Sequence, residues 1–180
     1  ADIGDDVAPL GELRSRYGVF GVTGNHEYYF QAEEWLPEFE RLGISMLHNE
    51  HRVLMVEEGA ELVVAGVPDK TEMRSGGKGP DVGATLSGAP NVPRILLAHR
   101  PNGISETIDA DLQLSGHTHG GHLFFMQWLI STFNGGLVKG LYDVGGMSLY
   151  VSPGTGLWAG FSCRLGVPAE ITQIVLRPLG

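Results

Sequence analysis

Apolar residues recur at helical spacing in two segments near the start of the chain. The first stripe follows an acidic N-cap at Asp5 or Asp6 and ends before Gly18. Its apolar and aromatic members are Val7, Leu10, Leu13 and Tyr17. A second helix is predicted over residues 35–42, with Pro37 either in its first turn or at a kink. The pattern therefore places helices in the early part of the chain.

Short apolar runs predict strands, and three of them end at turns that carry histidine. The runs are residues 19–23, 94–98 and 111–115. They lead to His26, His99 and His117 respectively. Ligand sites in open α/β sheets collect at the carboxyl ends of strands, so we expect these histidines to lie close together.

The remaining runs complete the predicted sheet. A polar turn separates two further runs, which predicts a β-hairpin from residues 52–56 and 61–67. Later strands are predicted at residues 140–144, 147–151 and 171–176. Residues 69–83 are polar and rich in glycine, which predicts a mobile surface loop. The mixture indicates an α/β fold, and the length favours a single domain over residues 1–180.

Charge and composition exclude several classes of protein. Twelve Lys and Arg against 21 Asp and Glu give a net charge of −9, which argues against nucleic-acid binding, because phosphate backbones are bound by clustered basic side chains. A small phosphate ester held by metal ions remains compatible with this charge. The single cysteine, Cys163, excludes an intrachain disulfide and a thiolate metal site. No apolar run reaches the roughly 18 residues of a membrane span, so we expect the chain as given to be soluble.

Histidines in glycine-flanked turns are the candidate chemistry. His117 and His119 form a His-x-His pair within GHTHGGH, and imidazole both binds Zn, Mn or Fe and exchanges protons near neutral pH. The alternative is a pair of solvated loop histidines. Asn25 and His26 supply a carbonyl ligand and an acid, or else a simple Asx-turn with an exposed ring. His99 alone also fits a semi-buried residue at the end of a strand.

In the order GNHE, LLAH and GHTHGGH, the three segments resemble the calcineurin-like metallophosphoesterase superfamily. The longer forms GNHEYY and GHTHGGH are most similar to its bacterial branch of predicted phosphohydrolases, some of which are membrane-associated. The resemblance runs from about residue 7 to about residue 176. It implies a four-layer αββα sandwich and hydrolysis of phosphate mono- or diesters by a metal-activated water at a dinuclear site. The localisation stays open, including membrane association in a longer parent protein.

The resemblance assigns roles to particular residues. One divalent ion (Mn, Fe or Zn) is held by the ligands Asn25, His99 and His117. His119 belongs to the second ion, and His26 matches the catalytic histidine that does not bind metal. Two further residues beside the motifs, Arg100 and His122, are assigned to substrate binding, with His122 equally compatible with a solvent-facing position.

The D-x-H and G-D motifs with which the family begins are missing from their expected places. Gly4-Asp5 is rejected as the second of them, because Asp5 caps a helix and does not follow a strand. We therefore expect an N-terminally incomplete domain that holds at most one ion, weakly. A homo-oligomer or a complementing N-terminal segment is predicted to complete the fold.

Alternatives to phosphoester hydrolysis stay open. One is a metal-poor variant that cleaves simple carboxylic esters, and another is an inactive fragment kept for binding or assembly. Residues 123–137 are apolar and aromatic, which indicates either a loop packed over the sheet or a lip that contacts lipid. The predicted substrate is correspondingly a small phosphoester or a lipid phosphoester.

Overall fold

Eight strands and five α-helices are assigned in the computed structural model of the chain, which describes residues 4–102, 109–158 and 163–177. The strands are β1 Val19–Gly21, β2 Ile44–Met46, β3 Glu50–Met55, β4 Glu61–Gly66, β5 Arg94–Leu97, β6 Leu112–Ser115, β7 Gly140–Val144 and β8 Met147–Val151. The α-helices are α1 Gly4–Val7, α2 Asn25–Tyr29, α3 Ala32–Arg41, α4 Val82–Leu86 and α5 Gln127–Phe133. Short 3-10 helices cover Ala8–Glu12, Glu57–Gly59, Lys70–Ser75, His119–Gly121 and Phe124–Met126. None of these described helices is long and apolar enough to cross a membrane.

A six-stranded mixed sheet forms the centre of the fold, in the order β3-β4-β5-β6-β8-β7. The four inner strands, β4, β5, β6 and β8, are parallel, and β3 and β7 add antiparallel hairpins at the two edges. Val63, Ala65 and Leu96 on the inner strands are fully buried. Because the inner strands are parallel, their carboxyl ends lie at the same end of the sheet. The turns that carry His99 and His117 follow β5 and β6 at this end.

A second, two-stranded sheet pairs β1 with β2 in parallel. It is joined to the central sheet by a close approach at Gly66 of β4, where an added Cβ would lie 2.4 Å from Leu47 Cβ and 2.7 Å from Val22 Cγ1. Only glycine leaves room for both side chains. The contact brings the end of β1, and therefore the GNHE turn, against the central sheet.

The α/β class and most of the predicted strands are confirmed. The hairpin forms from β3 and β4, and the two late strands at 140–144 and 147–151 pair with each other. The helices α2, α4 and α5 and the strand β2 were not predicted. The assignment of residues 1–180 to one domain stays a prediction.

Three predictions of local structure are wrong. The first helix changes to a 3-10 helix after Val7 and ends at Glu12, because Pro9 has no N–H to donate to the carbonyl four residues earlier. Residues 171–176 form no strand, since they find no pairing partner among the described residues and Ile171 is 90% exposed. Residues 69–83 contain a 3-10 helix and the start of α4, although they were predicted as a mobile surface loop.

The second helix is confirmed, but Pro37 lies inside α3 and not in its first turn. The bounds of α3 place this proline five residues after Ala32. The helix nevertheless continues to Arg41 and packs against β2.

Candidate metal centre

The turn after β1 places Asn25 at the start of α2. The Gly24 N–H donates to Glu27 Oε2 at 2.6 Å, which caps this short helix. An added Cβ on Gly24 would lie 2.8 Å from Cε1 of the His99 ring, so the ring packs directly on the glycine backbone. Asn25 itself is buried, at 7% exposure. The motif glycine therefore allows the first and second histidine-bearing turns to meet.

The GHTHGGH turn after β6 has an unusual backbone. His117, His119 and His122 have φ angles of 68°, 50° and 55°, in the left-handed region that residues other than glycine rarely adopt. The buried Thr118 stabilises the turn, because its hydroxyl donates to the Val138 carbonyl at 2.5 Å. Such backbone strain concentrates at functional sites, where surrounding contacts maintain it.

Side chains from all three turns converge at a triangle of polar atoms. His99 Nε2 lies 2.9 Å from Asn25 Oδ1 and 3.1 Å from His117 Nδ1, and His117 Nδ1 lies 3.1 Å from Asn25 Oδ1. Three hydrogen bonds cannot close this triangle, because the amide oxygen only accepts and each of the two ring nitrogens carries at most one proton. At least one of the three contacts is therefore not a hydrogen bond, whichever nitrogens are protonated. A cation inside the triangle would make all three contacts favourable.

The triangle fits a divalent ion in donor type and in spacing. Ligands on adjacent corners of an octahedron, each about 2.1 Å from a metal ion, lie about 3.0 Å apart. Imidazole nitrogens with an amide oxygen suit ions such as Mn, Fe or Zn. No group of three or more His, Cys, Asp or Glu side chains gathers around one point among the described residues, since the third donor here is an asparagine.

Burial keeps the two histidines of the triangle neutral. It lowers the pKa of His99 to about 4, and the nearby positive charge of Arg100 contributes to the same direction. Burial likewise lowers the pKa of His117 to about 3, with Arg100 the next cause. Both rings therefore present lone pairs at neutral pH, which is the state in which histidine binds a metal.

His119 and His122 lie together beside the triangle, with ring centroids 4.8 Å apart. His119 is half-buried, its pKa is lowered by burial, and its Nδ1 lies 3.4 Å from the Gly156 carbonyl. His122 is buried, its Nε2 accepts from the Trp158 N–H, and its Nδ1 donates to the Cys163 carbonyl. His122 therefore ties its turn to two later segments, and its predicted contact with substrate stays a prediction.

His26 lies in electrostatic range of two other site histidines. When protonated, it lowers the pKa of both His99 and His119. Its ring packs against Tyr29 and Phe30, at centroid distances of 5.6 and 6.3 Å. The histidine that the resemblance assigns to catalysis is thus beside the predicted ligands without belonging to the triangle.

Arg100 and Asp69 form an ion pair that contacts the triangle. Arg100 Nε donates to Asp69 Oδ2 at 2.8 Å, and Arg100 Nη1 donates to His117 Nε2 at 3.0 Å. The Asp69 side chain is 0% exposed. The sequence indicated Arg100 but not Asp69. The feature that could have indicated Asp69 is its position just beyond the end of strand β4, because the other site residues also lie just beyond the ends of strands.

Arg164 also supports the site and was not predicted. Its Nη2 donates to the Pro153 carbonyl at 2.8 Å and to the Gly156 carbonyl at 2.5 Å, and its Nη1 donates to the His119 carbonyl at 3.3 Å. It thereby holds the turn of His119 against the loop after β8. No motif in the sequence pointed to this residue.

Known proteins similar to this chain carry the name metallophosphoesterase. The transmembrane protein with metallophosphoesterase domain of Bos taurus is 40% identical over 95% of this chain, and an uncharacterized metallophosphoesterase of Campylobacter jejuni is 35% identical over 98%. An uncharacterized metallophosphoesterase of Aquifex aeolicus is 34% identical over 95%. The chain spans 41%, 46% and 65% of these three relatives, respectively. No family model and no solved structure matches the chain.

These relatives come from vertebrates as well as bacteria. The predicted placement in a bacterial branch is therefore not supported. The family itself is, since relatives at 31–40% identity share the name over most of this chain. The chain belongs to the calcineurin-like metallophosphoesterase superfamily.

Proposed function

We propose that the chain forms the metal-binding part of a hydrolase of phosphate mono- or diesters. The observation that supports this most directly is the triangle of Asn25 Oδ1, His99 Nε2 and His117 Nδ1, whose sides of 2.9–3.1 Å match adjacent ligands of one ion. These three residues would hold one divalent ion. His119 would contribute to a second ion nearby.

Divalent ions in such a site polarise the phosphoryl oxygen, orient the ester and activate water. The other site residues act directly on substrate in this proposal. His26, beside both His99 and His119, donates a proton to the leaving oxygen. Arg100 provides N–H donors to a phosphoryl oxygen, which suits its planar guanidinium.

The donor set is short of negative charge, because both imidazoles and the amide of Asn25 are neutral. We therefore propose that further ligands reach the site from a complementing N-terminal segment or a second copy of the chain. β1 pairs on one side only with β2 within the described part of the chain, so its other edge is a place where another strand adds. This chain by itself is expected to hold one ion weakly.

The test combines elemental analysis with hydrolysis of bis-p-nitrophenyl phosphate, with and without added manganese. We expect bound metal, manganese-dependent hydrolysis, and loss of both in His117→Ala. Arg52→Ala, a change on the edge strand β3, which β4 separates from β5, is the matched control and should behave as the unchanged chain.

The alternatives give different outcomes in the same experiment. Metal-independent hydrolysis of p-nitrophenyl acetate that persists in His117→Ala would favour the carboxylic esterase. Absence of both metal and turnover would favour an inactive binding or assembly fragment. The first result would refute the proposed phosphoesterase, and the second would refute it for this chain by itself.

A further inference from the structure

The ion pair of Asp69 and Arg100 is built more completely than a surface pair. Asp69 is buried, and its Oδ1 accepts from the Thr71 N–H at 2.9 Å and from the Thr71 hydroxyl at 2.6 Å. Its Oδ2 accepts from Arg100 Nε at 2.8 Å. These bonds and the Arg100 charge lower the pKa of the Asp69 carboxyl, although burial opposes them. One end of the Arg100 side chain is therefore firmly fixed.

The other end of the guanidinium has contacts that are easily given up. Arg100 Nη2 lies 3.4 Å from the Thr71 hydroxyl, a long hydrogen bond, and Nη1 rests on His117 Nε2 at 3.0 Å. The Arg100 side chain is 21% exposed, whereas its Asp69 partner is fully covered. The end of Arg100 that carries two NH₂ groups thus contacts the triangle through His117, and the side chain as a whole keeps part of its surface in solvent.

The contact between Arg100 and His117 is incompatible with a metal ion in the triangle. Arginine only donates, so His117 Nε2 must accept, and the neutral ring then carries its proton on Nδ1. An ion on Nδ1 requires that the ring proton sit on Nε2 instead. Two donors would then face each other at 3.0 Å. Loading of the centre and the Arg100–His117 bond therefore exclude each other.

We propose that Asp69 and Arg100 form an anion-binding arm, which a divalent ion on His117 releases towards the phosphoryl group of the substrate. The inference rests on the proposed function. Arg100 contacts the substrate anion, whereas Asp69 is a positioning residue that acts only through Arg100. The arm binds phosphate when metal is present and rests on His117 when metal is absent.

Two variants separate the arm from its anchor. Arg100→Ala removes the donors. Asp69→Asn keeps an oxygen for Thr71 but turns an amide N–H towards Arg100 Nε, which displaces the guanidinium while conserving the shape of residue 69. Arg100→Lys keeps the positive charge but lacks the planar guanidinium. It keeps the proposal testable if Arg100→Ala or Asp69→Asn fails to fold. Arg52→Ala removes an equal charge from edge strand β3 and is the control.

The first measurement is binding of inorganic phosphate to the manganese-loaded chain by calorimetry. We expect Arg100→Ala to weaken phosphate binding roughly 10-fold to 100-fold, the range for a lost hydrogen bond between charged groups. Arg100→Lys should be intermediate, and manganese affinity should not fall in either variant. Asp69→Asn should weaken phosphate binding in the parent chain and add nothing in the Arg100→Ala background. A purely structural role for Asp69 would instead give additive losses.

The second measurement follows the His117 ring nitrogens by NMR during a zinc titration. We expect the proton to sit on Nδ1 without zinc and on Nε2 with zinc, and the Arg100 Nη signals to shift at the same zinc concentration. Failure of the chain to bind either ion would overturn the proposed metal centre together with the release. Metal binding with equal phosphate affinity in Arg100→Ala and the parent chain would overturn the arm alone.

Discussion

Gly24→Ala tests whether the geometry of the triangle controls metal binding. The substitution adds one methyl group at a position whose φ of −95° suits alanine, so it introduces no backbone strain. The new Cβ would lie 2.8 Å from Cε1, 2.9 Å from Nδ1 and 3.0 Å from Nε2 of His99. The main effect of the change is therefore a steric clash with His99, one of the predicted ligands.

The size of the effect follows from these distances. Nonbonded carbon atoms sit about 3.5–4.0 Å apart, so the His99 ring must retreat by roughly 0.7–1.2 Å. Metal–ligand distances tolerate only about 0.2 Å, so this displacement removes His99 from the triangle. Misplaced support around a metal ligand costs about 10-fold to 100-fold in affinity, and we expect at least that loss. Over-packing should lower the free energy of unfolding by about 1–3 kcal/mol.

Calorimetric titration with manganese and urea unfolding of the same samples provide the assay. Gly116→Ala is the matched control, because Gly116 directly precedes His117, lies outside the left-handed region, and would place its Cβ 4.0 Å from the nearest atom, Ser152 O. The control should bind manganese as the parent chain does. Gly24→Ala with undiminished manganese affinity would refute the triangle as the metal site.

Three further predictions concern the histidines of the triangle, the exposed aromatic residues after the GHTHGGH turn, and Thr118 in that turn. The metal-free chain should lose stability as the pH falls below about 6.5, because His99 and His117 bind protons less readily in the folded state (pKa about 4 and about 3) than in the unfolded state. Urea unfolding across this pH range would show the loss, and the free energy of unfolding should depend less on pH in His99→Ala. The double substitution Trp128→Ser and Phe133→Ser changes two residues that are 70% and 72% exposed. It should leave hydrolysis of a small chromogenic ester intact and weaken hydrolysis of lipid-like esters several-fold, whereas equal losses on both substrates would exclude a lipid-contacting lip. Thr118→Val should lower the free energy of unfolding by about 1–3 kcal/mol, because it leaves the buried Val138 carbonyl without its hydrogen bond from Thr118. An unchanged urea midpoint would contradict this prediction.

The predictable part of the site is the part that local sequence pattern controls. Apolar runs placed β5 and β6 correctly, and the motifs after them contain His99 and His117. Their meeting with Asn25 follows from parallel pairing, which brings β5 and β6 to one edge, and from the glycine that lets the GNHE turn approach. Strand ends and glycines were visible in the sequence, so the triangle could be anticipated from it.

The missed elements depend on contacts between distant segments. Asp69 acquires its role from Arg100, 31 residues away, and its other carboxylate oxygen accepts from Thr71 in the 3-10 helix after β4. Residues 171–176 show the converse error, because β propensity specifies a strand only where a neighbouring strand offers hydrogen bonds. The three-residue strand β2 is similarly defined by its pairing with β1.

The charges around the triangle favour the anionic substrate that we propose. All three donors are neutral, and Asp69, the carboxylate joined to the triangle through Arg100, is already paired with that arginine. A divalent ion here would keep most of its positive charge, and its repulsion of the arginine adds to the conflict over the His117 proton. A phosphoryl group relieves both effects, because its oxygens offset the charge of the ion and accept from the displaced guanidinium. Because binding linkage is reciprocal, ion and phosphate should each strengthen the binding of the other, and Asp69 contributes by keeping Arg100 within reach of both.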